Sequence, residues 1–540
     1  MTTNNDSPVE RPPFVLPPPP SIPDKASAGE KSQIIADWLA NPKFRFYAED
    51  IDNVPLYMYD PNTGIWHEKG KHFVAEVCEK ILIERFQKHI ANEVVARLCA
   101  RSFRGTTPTY NLLGGPPNKI VVLNGVLNLD TGKLEDYDPD DHHLARIPVR
   151  FNPKEECPDI KQFFGDVFLD KDLNAVEELI GYCLRKDYAF GLIAVLVGEG
   201  ANGKSTFLRL LTSFLGQQNV STESLFDLAY DRFAKSNLYG KLANIPGDLQ
   251  NTPIEDTGTL KNLTGGDYVK GERKYFQAFN FHNFAKLIFA CNKAPEIPPS
   301  EDTNAIWRRI VVFEFPNQFL KDDPKTDPFI LEKITTPKEL SGLLNLAIQG
   351  YRRMMRSGGL SNTKSLESAR EDYLKHSSIT TYFIKKFLDY SQTASAIPKG
   401  EVYELYMQCV AARKGKISPD APSVFGTALK KSLPNVVSKQ VKVKGKPVWH
   451  YLNLEIYRAD LRAFIDSGGD VTGVTGVTGS PSPRIERGID IEGGRGPPVK
   501  PVTPSYPDDK DIFVDSDESD EEEGSEDQSP HRPETKEGEE

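Results

Sequence analysis

An α/β fold around a buried parallel sheet is what the sequence predicts, and three observations predict it. Residues 192–197 (Leu-Ile-Ala-Val-Leu-Val) form an unbroken apolar run, the signature of a strand covered on both faces. That run leads directly into Gly198-Glu199-Gly200-Ala201-Asn202-Gly203-Lys204-Ser205, and residues 205–211 leave with helical periodicity. Finally, strand and helix signals alternate from Gly165 to about Gly350, with further apolar strands at 241–247, 286–291 and 310–315.

Taken in order, residues 1–30 hold Arg11-Pro12-Pro13 and the run Pro17 to Pro20, with little to bury, and are expected to be a disordered arm. Residues 31–165 mix short strands and amphipathic helices, including a helix through 73–82 and a hairpin through 119–129, and are expected to be an α-rich N-terminal module. Within it, Asp50 and Asp52 share one side of an extended chain and could hold a metal. Asn53 and Pro55 break the strand at once, which favours a plain loop. Residues 166–350 carry the core, 351–375 a helical connector and 376–458 a compact basic unit. Residues 459–540 open on a Val-Thr-Gly repeat, end in an acidic run and are expected to be disordered.

The formal net charge of −11 argues against a nucleic-acid partner only if it is spread evenly. It is not, because 16 acids and 3 bases fall within residues 508–540 and leave 63 bases against 61 acids in the body. The body is therefore free to carry basic patches. Six well-separated cysteines with no CxxC pair argue against a zinc or disulfide framework, and no stretch has the roughly 18 apolar residues of a membrane span. With no signal peptide in view, the expectation is a soluble protein of the cell interior, cytoplasmic.

Residues 198–205 fit G-x-x-x-x-G-K-[ST] at every fixed position, and the strand before and helix after supply the context that the chemistry needs. Backbone N–H groups from Gly198 to Thr206 would cradle phosphates at a helix N-terminus, Lys204 would reach the β- and γ-phosphates of ATP, and the Ser205 hydroxyl would sit on Mg²⁺. Asp248 ends the next strand, where a carboxylate can hold Mg²⁺ and polarise water. Asn292 ends another, where an amide can contact the γ-phosphate, although Asn in that place is more often a turn former. Arg308 and Arg309 precede the last strand, as surface charge or as an arginine finger for a neighbouring subunit.

The order of these elements, together with Leu260-Lys261-Asn262-Leu263-Thr264-Gly265-Gly266-Asp267, Lys274-Tyr275, Phe279-Asn280-Phe281, Asn292-Lys293 and Ala305-Ile306-Trp307-Arg308-Arg309, resembles the superfamily 3 helicases, within them the poxvirus-type and phage or plasmid primase-helicases. Leu56–Tyr59 and Gly64–His67 look like the helical N-terminal module of that family, so the likeness covers about residues 45–455. It implies an AAA+-like ATPase core assembled as a ring, usually a hexamer, around DNA. Lys204 and Ser205 would serve the phosphates and Mg²⁺, Asp248 the metal, Asn292 as sensor, and Arg308 or Arg309 as the finger in trans. Many members carry two adjacent acids at the second motif; here Leu249 and Gln250 follow Asp248.

Residues 267–276 read as two short strands about a turn at Gly271 with a basic tip, and Lys270, Arg273 and Lys274 are the expected DNA contacts in the pore. Residues 423–433 read as a helix and 436–452 as a basic hairpin, the layout of a winged helix, whose Lys430, Lys431, Lys442 and Lys444 would grip DNA. The expected function is an ATP-driven, ring-forming DNA helicase that unwinds forked duplex and binds single strands in replication of a virus or plasmid. The alternative is an initiator that uses ATP only to assemble. A primase or polymerase would be a separate polypeptide.

Overall fold

The computed structural model describes residues 17–40, 44–48, 55–102, 114–247, 254, 257–297, 303–320, 323, 326–362, 364–412, 419–444 and 446–468. Asp50, Asp52 and Asp248 lie outside the described residues.

The N-terminal part holds α1 (Ala28–Leu39), β1 (Phe46–Ala48), β2 (Leu56–Asp60), β3 (Ile65–His67), α2 (Gly70–Leu82) and α3 (Lys88–Ser102). A capping box starts α1: the Glu30 N–H donates to Ser27 Oγ and the Ser27 N–H to Glu30 Oε2. Ile35, Leu39, Val74, Val77, Ile90, Val94 and Leu98 recur three or four residues apart and close one core between the three helices. Two expectations change here. Leu56–Tyr59 and Ile65–His67 are antiparallel strands rather than helix: Tyr57 and Tyr59 recur at the strand period of two, and Ile65 and Trp66 are likewise strand-favouring residues. The arm is also placed from residue 17 on, since the Trp38 indole donates to the Pro18 carbonyl and Ile22 packs on this core.

A second antiparallel sheet, β4 (Lys119–Val122), β5 (Gly125–Asn128) and β6 (Leu134–Glu135), contains the expected hairpin. Its Ile120, Val122 and Leu127 join the central core instead of the N-terminal one, so the boundary expected at residue 165 divides one hydrophobic cluster. It also cuts α4 (Pro158–Val167).

The central layer comprises α5 (Leu173–Cys183), β7 (Ile193–Val197), α6 (Lys204–Leu215), β8 (Val220–Ser221), α7 (Leu225–Tyr230), β9 (Ala243–Asn244), α8 (Gly258–Thr264), β10 (Tyr268–Gly271), β11 (Phe279–His282), β12 (Lys286–Cys291), α9 (Asn304–Trp307), β13 (Ile310–Glu314), α10 (Ile330–Ile334), α11 (Pro337–Ser357) and α12 (Leu366–Ser377). Strands β13, β7, β12, β9 and β8 form, in that order, one parallel sheet. Alternate residues of β7 serve two cores. Ala194 and Leu196 face α4, α5, α6 and α11, while Ile193, Val195 and Val197 face α7, α8, α9 and α12. Helices α5 and α11 cross closely because Gly181 and Gly350 lack a Cβ; one at Gly181 would lie 2.2 Å from the Ala347 carbonyl oxygen. The connector expected from residue 351 is instead the last two turns of α11, whose Tyr351 and Met354 are buried.

Lys286, 1% exposed, opens β12 inside the protein. Its ammonium donates to the carbonyl oxygens of Arg185 (2.7 Å), Asp187 (2.9 Å) and Phe284 (2.8 Å) and lies 4.4 Å from the Tyr182 ring centre and 5.0 Å from that of Tyr188.

The C-terminal part holds α13 (Ile379–Phe387), β14 (Leu388–Tyr390), β15 (Ile397–Pro398), α14 (Lys399–Ala412), α15 (Pro422–Ser432), β16 (Val437–Val443), β17 (Lys446–Leu452), β18 (Leu454–Ile456) and α16 (Arg458–Asp466) around a core of its own. Helix α16 falls where disorder was expected from residue 459; its Leu461 and Phe464 are buried in that core. No helix of the described residues is long and apolar enough to cross a membrane.

Candidate functional site

The loop 198–203 joins the C-terminal end of β7 to α6, as the sequence predicts. Helix α6 forms because Phe207, Leu210, Leu211, Phe214 and Leu215 repeat at helical spacing and bury one face, and Gly216 at φ +86° ends it. Phe207 packs on Phe168 (ring centres 5.1 Å apart), which in turn meets Phe315 at 4.6 Å, so an aromatic cluster props the helix under the loop. Burying each ring is worth about 1.5–3 kcal/mol.

Two positions in the loop demand glycine. Gly203 has φ +86°, and a Cβ there would meet Val167 Cγ1 at 2.7 Å; a Cβ on Gly198 would strike the Asn202 amide. Ala201 sits at φ +54°, a conformation that L residues rarely adopt. It is held there by the Phe319 N–H, which donates to the Ala201 carbonyl at 2.6 Å. Gly203, the N-cap of α6, offers no side chain to the first-turn N–H groups.

The Lys204 side chain is buried and folds back over this loop. Its ammonium donates to the Gly198 carbonyl, to Asn202 Oδ1 at 3.0 Å and to Asn292 Oδ1 at 3.2 Å. Lys204 and Asn292, 88 residues apart, thus meet at the C-terminal edge of the sheet. Buried Asn202 donates its amide to the Phe315 carbonyl at 3.3 Å, which ties the loop to the end of β13. Ser205 is exposed on the first turn of α6, and Thr206 is half-buried beside it. The result is an ammonium donor and a helix N-terminus without a side-chain cap at one point, an arrangement that can take a multiply charged anion.

Arg308 and Arg309 stand at the opposite edge. Strand β13 runs parallel to β7, with Ile310 opposite Ile193 and Glu314 opposite Val197, so the two arginines lie a full strand, roughly 15 Å, from the loop of their own chain. Arg309 Nε donates to Thr264 Oγ1 at 3.1 Å and its Nη1 to the Ala305 carbonyl at 2.6 Å. Burial, then neighbouring Arg308, pulls its pKa below the usual arginine value. Arg308 is exposed.

A clamp that the sequence did not suggest lies next to Asn292. The Ala294 N–H donates to the His376 carbonyl at 3.0 Å, and the His376 ring meets Glu314 Oε1 at 2.8 Å. Burial pushes the Glu314 carboxyl up, but the hydrogen bond and charge of His376, with Lys375 and Lys171, outweigh it and hold the pKa at about 2. The end of α12 is thereby fastened to the strand ends around Lys204.

The expected hairpin is corrected in register. Gly271 is the last residue of β10 and pairs with Phe279, so the connection runs through 272–278. Arg273 is not at a free tip: its Nη1 donates to both Glu68 oxygens at 2.9 Å, and its guanidinium lies over Phe279 and Tyr239, 5.0 and 5.6 Å from the ring centres. Burial opposes its charge, yet Glu68 more than compensates and keeps the pKa high. Lys270 is exposed and pairs with Glu272 at 2.9 Å; Lys274 is exposed over Tyr275. In the C-terminal part, α15 and the β16–β17 hairpin appear where they were expected, with Lys430, Lys431, Lys442 and Lys444 all exposed.

Comparison with known proteins matches residues 45–169 to a family described as "D5 N terminal like" and residues 196–309 to a family of unknown function (DUF5906). A relative in Acanthamoeba polyphaga mimivirus, named "Putative helicase L207/L206", is 26% identical over 293 residues. The match takes in 49% of this chain and 30% of that relative, so the chain spans less than a third of its length. Apo structures of the C-terminal region of NrS-1 are 14% and 13% identical, each cover 78% of this chain and 98% and 99% of their own, and both have a TM-score of 0.40.

Proposed function

We propose that the protein is an ATP-dependent DNA helicase of the superfamily 3 type that acts as a homo-oligomeric ring, hexameric by resemblance, in replication of a virus or plasmid inside the host cell. The observation that carries this is the Lys204 ammonium held between the Gly198 carbonyl, Asn202 and Asn292 at the C-terminal edge of a parallel sheet. The likeness to a viral protein named as a helicase supports it.

The residues present fit a nucleotide triphosphate. The three oxygens on Lys204 occupy donors that phosphate oxygens would take over, and the first-turn N–H groups of α6 have no side-chain cap. Ser205 is exposed where it would hold Mg²⁺, with Asp248 as the second expected ligand. The cation would supply charge neutralisation at the β- and γ-phosphates. Asn292, freed from Lys204, would orient the attacking water, and Lys204 would stabilise charge on the transferred phosphoryl group.

The strand-length separation of Arg308 from the loop favours a finger delivered to a neighbouring protomer. Arg308 is the better candidate, because the Arg309 guanidinium already serves Thr264 and Ala305. The exposed Lys270 and Lys274 would contact DNA phosphates in the pore, with Arg273 engaged by Glu68 until released. Helix α15 and its hairpin support the winged-helix assignment and a second DNA contact.

The test is ATP hydrolysis with and without single-stranded DNA, and displacement of a strand from a tailed duplex, for the parent and Lys204→Ala. Both activities should be lost in the variant, with circular dichroism confirming that it remains folded at the assay temperature. Unwinding by the variant at the parental rate would overturn the proposal. A parent that hydrolyses ATP yet displaces no strand would point to the loading-platform alternative.

A further inference from the structure

We propose that the C-terminal part carries a seat for an unpaired nucleotide of single-stranded DNA, built from Trp449, Tyr451 and Lys399 beside a lysine-lined cavity. The inference rests on the DNA-binding function proposed above and narrows it from DNA in general to an unstacked base. A cavity of about 880 Å³ opens between the start of α14, helix α15 and strand β17. It is lined by Lys399, Lys430, Lys431 and the aromatic Tyr403, Phe425 and Tyr451, and among the described residues no carboxylate contributes to its wall. A pocket of this size accommodates a nucleotide.

The strand register explains why the aromatic groups meet. Trp449 and Tyr451 are two residues apart on β17 and share a face, opposite Gln440 and Ser438 of β16. Lys442, two residues beyond Gln440, extends the same face with positive charge. The Lys399 ammonium lies over both rings, 5.1 Å from the centre of Trp449 and 4.9 Å from that of Tyr451. Trp449 is 51% exposed, whereas Trp66 and Trp307 are buried at 5% and 3% and the Trp38 indole is bonded to Pro18. Leaving a large ring in water forgoes the stabilisation that burial would bring, and an open indole with the Lys399 ammonium over it is the make-up of a base-stacking platform.

Two other ligand classes fit less well. In a duplex both faces of each base are already covered by neighbours, so the indole would gain nothing from it. An acidic peptide would satisfy the lysines and leave the ring unused.

The experiment titrates the full chain with a short oligothymidylate, with a duplex of equal length, and with polyglutamate, following tryptophan fluorescence and anisotropy. The single strand should quench the parental emission. Trp449→Phe should abolish that quenching with affinity nearly kept, and Trp449→Ala should weaken single-strand affinity about tenfold while duplex affinity stays within about twofold. Equal losses for single strand and duplex, or equal quenching by polyglutamate, would overturn the seat. Hydrolysis of ATP is measured in the same samples. If the strand binds through Trp449 but never stimulates hydrolysis, the motor fails and the seat stands; if Trp449→Ala binds single strands and hydrolyses ATP as the parent does, the seat fails and the motor stands.

Discussion

Replacing Lys286 by Met tests how the central sheet is anchored. The side chain fits by volume, so the change removes the ammonium without opening a large cavity. Three carbonyl oxygens, of Arg185, Asp187 and Phe284, then lose their donor inside the protein. Each orphaned acceptor costs about 1–3 kcal/mol, and part of the sum is returned because no ammonium has to be desolvated. A net loss on the order of 3 kcal/mol follows, and at about 2–4 °C per kcal/mol the variant should melt roughly 6–12 °C below the parent. Thermal unfolding followed by circular dichroism measures this. A second readout is pH. Burial pulls the Lys286 pKa down to about 7, whereas an unfolded lysine titrates near 10.4. The unfolded chain therefore holds a proton that the folded one releases. This group's contribution is fully present above about 10.4 and is lost as pH falls through about 7, and Lys286→Met should lack that slope. A variant that melts within about 2 °C of the parent and shares its pH slope would refute the account.

Arg308→Ala should lower ATP hydrolysis by about 10³-fold or more, with activity partly restored on mixing with Lys204→Ala protomers, whereas Arg309→Ala should mainly lower the melting temperature; absence of restoration in the mixture would exclude a finger acting between protomers. The Glu314 carboxyl, held at about 2 against an unperturbed value of 4.5, stabilises the fold above the unperturbed value, and this is lost as pH falls through about 2. Glu314→Gln should accordingly flatten the acid limb of a melting-temperature profile, and superimposable profiles would exclude the contribution.

What could be read from the sequence was local. The apolar run 192–197, the glycine spacing after it and the periodicity of 205–211 each lie within a few residues, and strand, loop and helix all appear as expected. The order of the five strands was not legible, because parallel neighbours such as β7 and β13 are more than a hundred residues apart and leave no periodic trace. For the same reason the bond between Glu68 and Arg273, 205 residues apart, was invisible, and Arg273 looked like one more charge on a basic turn. The hairpin register slipped because Gly271 resembles a turn residue, whereas its role is to let the Phe279 ring approach within 2.8 Å of where a Cβ would stand. Hydrophobic residues of 120–165 carry no label for which core they join, which is why the division at 165 cut one cluster.

The fastening of His376 bears on how the C-terminal core is joined to the rest of the chain. One residue grips the backbone just after β12 by its peptide oxygen and the tip of β13 by its ring, and only Ser377 and Ser378 separate it from the first residue of α13. Two residues are the whole of the chain between the end that holds Glu314 and Ala294 and the helix that opens the C-terminal core. The strand ends beside Lys204 and Asn292 and the first helix of the C-terminal core are therefore held by neighbouring residues of one short segment, His376 to Ile379.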